Sequence, residues 1–132
     1  MLKFALAFLV LAHGLGHVLF LAPTMRLAEW ADQSGHSWLV TPSLGDSIAR
    51  LLGSVAWITV IALFTSAVIG LFMATDWWRS AAIVGAALSI ITIVVFWDGI
   101  ATSSAAFALT FDVIILIALM WAHWPGIELA GS

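Results

Sequence analysis

Apolar residues run along this chain in four long stretches, separated by short clusters of proline, glycine, charge and tryptophan. LKFALAFLVLAHGLGHVLFLA fills about residues 2–22, and RLLGSVAWITVIALFTSAVIGLFMA dominates about 42–74. SAAIVGAALSIITIVVFW lies within about 79–98, and SSAAFALTFDVIILIALMWAHW fills about 103–124. None alternates with the two-residue period of a half-buried strand. At 1.5 Å per residue, each is long enough to cross roughly 30 Å of hydrocarbon. The pattern predicts an all-α fold: one transmembrane domain over 1–132, built as an integral membrane four-helix bundle running up-down-up-down.

The breaks support the same division. Pro23 stops the first helix, while Thr41-Pro42 offers a cap and a first-turn proline for the second, with Asp46 favourable at that end of the helix dipole. Arg50 can extend to the headgroups. Between helices one and two, 24–41 is the longest polar segment, read as a short interfacial helix or an ordered loop with Trp30 and Trp38 as anchors. The same segment could also serve as a lid. Trp77 and Trp78 beside Arg79 mark an anchored turn at the opposite face. Asp98-Gly99 closes helix three, and Ser103 or Ser104 can cap helix four. Ala81, Gly85 and Ser89 form a small-residue ridge, so helix three is expected to make the closest helix contact at Gly85.

Composition removes the rival classes. The chain is 64% hydrophobic and 8% charged, with mean hydropathy +1.16, whereas soluble domains carry about 25% charged residues. Its net charge of -3 has no basic patch, which excludes nucleic acid as a partner. No cysteine means no disulfide and no thiolate metal site. Lys3 before an apolar run imitates a signal peptide, but LFLAPTM has no small-x-small cleavage site, so the run is read as a retained helix. Lys3 and Arg79 fall on the side of the termini and Arg26 and Arg50 on the other. With the free amine, this favours a multi-pass protein of the cell (inner) membrane with both termini cytoplasmic.

One residue does not belong in lipid. Asp112 sits mid-way along the fourth stretch, where an isolated carboxylate costs at least ~2.5 kcal/mol. It must face the interior and find a partner. His13 lies at a similar depth on helix one, ~15 Å from its start, and His17 follows one turn later on the same face. Eleven residues make three turns, so Asp112 and His123 share a stripe. Asp98, His17, His13, Asp112 and His123 can therefore form a line of ionisable groups through the bundle.

That line admits several functions. It can be a set of interhelical hydrogen bonds, each contributing ~1 kcal/mol or less. It can be a metal site using His13, His17 and Asp112, although His13-Gly14-Leu15-Gly16-His17 lacks the glutamate of a metalloprotease helix. Haem is disfavoured because His13 and His123 lie at different depths. Finally, burial favours the neutral forms of His and Asp while pairing favours the charged ones, which poises a pair for proton exchange. His13, Asp112, His17 and Asp98 are then the catalytic candidates, acting on a small hydrophobic ligand that enters from membrane lipid. A role as a structural or accessory subunit of a membrane complex, or a homo-oligomer meeting through Gly85, is the reading from a different class.

Overall fold

The apolar stretches become helices because a helix satisfies its interior backbone groups within its own segment. The computed structural model describes residues 1–30, 32–126 and 129, and among these it is helical with no strand. Helix α1 (Leu2–Gly16) continues almost directly into α2 (Val18–Thr24). A single turn, α3 (Thr41–Leu44), precedes the long α4 (Asp46–Phe72), and α5 covers Trp77–Val95. A 3-10 turn at Trp97–Gly99 leads to α6 (Thr102–Leu116), which runs on as a π-helical segment, Ile117–Trp121. Four of these helical stretches are long and apolar enough to cross a membrane: Leu2–Thr24, Asp46–Phe72, Trp77–Val95 and Thr102–Trp121.

Several boundaries differ from expectation for identifiable reasons. Thr41-Pro42 does start a helix, but Gly45 at φ +89° ends it after one turn, and Asp46 opens the long helix. The described residues of 25–30 and 32–40 form an ordered loop of turns with an isolated Trp30–Gln33 bridge, not an interfacial helix. This loop is tied to the end of α5, where the Ser37 hydroxyl donates to the Val95 carbonyl and Trp38 Nε1 donates to that of Val94. Those carbonyls would otherwise be orphans of the helix terminus. Gly99 lets the two loops touch, since a Cβ there would lie 2.2 Å from the His36 carbonyl oxygen. Arg50 caps the other loop end by donating to the carbonyls of Pro23 and Thr24, and Arg79 donates to those of Leu119 and Pro125. Both arginines thus serve helix ends.

Helix α4 is the hub. It packs most extensively on α5 and also carries α1, α2 and α3, while α6 leans on α5. Helices α1 and α6 flank this pair without packing closely on each other, which leaves a groove between them. Phe64, Leu71, Ala82 and Ala86 anchor one core cluster, and Trp57, Ile93, Phe96 and Ala105 anchor a second. Outward faces carry Phe4, Phe8, Leu51, Val55, Ile58, Ile91 and Phe107, so the exterior is apolar too.

Gly85 is buried and faces α4, where its absent Cβ would sit 3.3 Å from Leu63 Cβ. The tighter helix approach is at Gly14, where a Cβ would lie 2.6 Å from Phe64 Cβ. Trp78 is buried in the core rather than displayed, whereas Trp77, Trp30 and Trp38 are exposed.

Candidate functional site

His13 is placed by the approach of α1 to α4 at Gly14, and Asp112 projects from the middle of α6. Across the groove, His13 Nε2 and Asp112 Oδ1 are 2.7 Å apart. Both residues are buried, with Asp112 at 0% and His13 at 8% exposure. The His13 ring is stacked on Phe111 with centroids 4.4 Å apart, and meets Phe64 and His17 edge-on at 5.1 and 4.8 Å. Aromatic contacts on three sides fix its orientation.

His17 is held by the backbone as well as by side chains. The helix slips at this point, with the His17 amide bonded to the Gly14 carbonyl, and the His13 carbonyl accepts from the His17 ring at 3.0 Å. A carbonyl only accepts, so Nδ1 carries the ring proton. Nε2 then accepts from the Ser89 hydroxyl at 2.8 Å. Ser89, expected as a packing residue, is therefore also the polar partner of His17. Trp57, Phe20 and Phe64 enclose the ring.

The His13–Asp112 contact has two protonation states of the same geometry. Either Nε2–H donates to a carboxylate and Nδ1 is left as an acceptor, or the acid O–H donates to Nε2 and Nδ1 carries the proton. The other carboxyl oxygen, Oδ2, is buried without a hydrogen-bond partner among the described residues. A lone oxygen of this kind is far less costly on a neutral acid than on a carboxylate.

His13 and His17 line a cavity of about 430 Å³ in the groove, walled by α1, α2 and α6, with Ser103 and Ser104 at its loop end. These two serines do not cap α6, whose first residue is Thr102, and they face the cavity instead. The three groups His13, His17 and Asp112 also offer two nitrogens and an oxygen within 4.8 Å of one another, a donor set suited to a borderline divalent cation.

The expected line of ionisable groups is shorter than its full extent. Asp98 does not approach His17; its Oδ2 pairs with His36 Nδ1 and its Oδ1 accepts from the Trp38 amide, both in the exposed loop layer. His36 was not a sequence candidate, because a loop residue 62 positions from its partner leaves no periodic signal. His123 lies beyond the helical segment, exposed, at φ +49°. A helical stripe cannot bring it to Asp112 once the helix has ended. Comparison with family models, curated proteins and solved structures finds no match to this chain.

Proposed function

We propose that this chain is a small multi-pass membrane protein whose His13–Asp112 pair exchanges a proton with a small lipid-soluble ligand in the α1–α6 cavity. The observation that carries this reading is a buried His–Asp hydrogen bond whose histidine lines that cavity. In the bilayer, the four apolar helices run up-down-up-down with the two termini on one side, and the groove between α1 and α6 opens towards lipid. Apolar outward faces and the shortage of charge support this placement.

The chemistry follows from the two protonation states. With Nε2–H on the carboxylate, His13 Nδ1 takes a proton from the ligand; Asp112 stabilises the imidazolium that forms, and that cation in turn faces the ligand's conjugate base until the proton returns. With the acid protonated, Nδ1–H acts as the donor, and the proton of Asp112 restores the ring. Asp112 orients and tunes; His13 faces the ligand. His17, fixed by the His13 carbonyl and Ser89, shapes the wall and holds the His13 ring edge-on.

The donor cluster supports a second reading as a cation site. His17 donates its Nδ1–H to a carbonyl, the outer contact that ligating histidines commonly make. In that case His17 Nε2 would give up its hydrogen bond from Ser89 to join His13 and Asp112 in holding a divalent ion.

The test of the first reading is extraction of small molecules from protein purified in lipid nanodiscs. Wild type is expected to carry a discrete apolar molecule that His13→Gln loses. Only bulk lipid, in equal amounts in both proteins, contradicts the proposal.

A further inference from the structure

The groove between α1 and α6 contains a second cavity, and the two cavities differ in chemistry. The first is lined by the C-terminal half of α1 and the N-terminal half of α6, and holds His13, His17, Ser103 and Ser104. The second, about 250 Å³, lies along the other halves of the same helices, with Leu6 and Val10 facing Ile114 and Ala118 over a floor that includes Ala67 and Ala82. Leu9 and Phe111 belong to both, so the cavities meet at the level of the His13 ring.

Among the described residues, the wall of the second cavity has no polar side chain apart from the indoles of Trp78 and Trp124, which stand among aliphatic residues. Neither cavity is lined by lysine or arginine among the described residues. The nearby Arg79 is occupied with the carbonyls of Leu119 and Pro125. A carboxylate or phosphate in this groove would be desolvated with no fixed cation beside it and would compete with the buried Asp112 for the one imidazole that can become charged. A neutral hydroxyl or carbonyl, by contrast, matches a histidine nitrogen that can either accept or donate.

We infer that the ligand of the His13–Asp112 site is a neutral single-chain amphiphile, with a hydroxyl or carbonyl head beside His13 and its hydrocarbon tail in the apolar cavity beyond Leu9 and Phe111. The inference rests on the proposed function and adds to it the class of ligand. From His13 to Leu6 the groove extends roughly 10 Å at the helical rise, so chain length contributes to binding until that compartment is filled. Lipid tails are as apolar as this wall, so added methylenes contribute through van der Waals packing against the shaped cavity and not through the hydrophobic effect, while the head sets the position.

The test uses photoreactive alkan-1-ols in nanodiscs, with the reactive diazirine near the tail end, and maps labelled residues by peptide mass spectrometry. A dodecan-1-ol probe is expected to label α1 around Leu6–Val10 and α6 around Ile114–Ala118. Excess dodecan-1-ol should compete at least tenfold better than dodecanoate. Ala118→Phe, and independently Leu6→Phe, fill the apolar cavity from its rim. Each should cut long-probe labelling about tenfold yet leave labelling of the first cavity by a butan-1-ol probe unchanged. His13→Gln should reduce both probes. If the short probe labels the first cavity in a His13-dependent way but the tail compartment is never labelled, the amphiphile is wrong and the proposed function stands. Equal competition by dodecanoate overturns the neutral head. If neither probe depends on His13, both the inference and the proposed function fail.

Discussion

His13 and Asp112, 99 residues apart in the chain, join α1 to α6 through a 2.7 Å hydrogen bond across the groove between the two helices, beside the stacking of His13 on Phe111. The bond therefore has a mechanical role as well as a chemical one. Replacing Asp112 with Asn keeps the shape and a hydrogen-bonding oxygen, and is expected to cost about 1 kcal/mol or less. Asp112→Leu leaves the buried His13 Nε2 without a partner and is expected to cost about 1–3 kcal/mol. A double-mutant cycle with His13→Gln, measured by reversible unfolding in mixed micelles, should give a coupling of roughly 0.6–1.7 kcal/mol. Additive effects would mean that the contact contributes nothing.

Gly14 and Gly16 make a matched pair two residues apart. A Cβ at Gly14 would lie 2.6 Å from Phe64 Cβ, whereas one at Gly16 would meet nothing within 4 Å. Gly14→Ala must push α1 away from α4 and is expected to destabilise by about 1–3 kcal/mol. Gly16→Ala should be neutral or stabilising by up to about 1 kcal/mol through helix propensity. Thermal unfolding of the two variants side by side checks the order. Equal effects would contradict the packing described here.

The four helices were legible because their apolar runs are long enough to span a bilayer and because Pro23, Pro42 and Gly99 punctuate them. The His13–Asp112 pair was legible from depth alone, since an acid in the middle of an apolar run has few possible partners. What stayed hidden depended on side-chain reach and on backbone details. Periodicity assigns Ser89 to a packing ridge but cannot show that its hydroxyl meets His17. Asp98 lies near the right depth for His17, yet the loop brings His36 to it first. The groove was invisible too, because the apolar positions of α1 and α6 that line it resemble those of a packed seam.

The loop layer should respond to a single methyl group. Because a Cβ at position 99 would fall 2.2 Å from the His36 carbonyl oxygen, Gly99→Ala cannot be accommodated without separating the two loops. Hydrogen–deuterium exchange in residues 32–40 is expected to rise well above wild type, with exchange in the middle of α4 unchanged. Unaltered exchange in both regions would show that the loops can shift at no cost.

Removal of metal separates the two functional readings. Proton exchange at His13 needs no cation, so protein dialysed against a strong chelator should keep its unfolding temperature and its bound ligand. Loss of both, with restoration by zinc and no restoration in His17→Ala, would favour the cation site of His13, His17 and Asp112.

The placement in the membrane is open to a direct check, because the chain has no cysteine of its own. Ser34→Cys and Asp76→Cys, both at exposed positions, should react with a membrane-impermeant thiol reagent from opposite sides of sealed vesicles. Reaction from one side would overturn the up-down-up-down arrangement.

The measurement closest to the central claim is the infrared carboxyl C=O band of Asp112, recorded in lipid with and without dodecan-1-ol and isolated by subtracting Asp112→Asn. If His13 and Asp112 share a proton that the ligand redistributes, adding the alcohol will shift the band or change its intensity, and His13→Gln will abolish the response. A band that ignores the alcohol in wild type, or responds equally in His13→Gln, would contradict proton exchange through this pair.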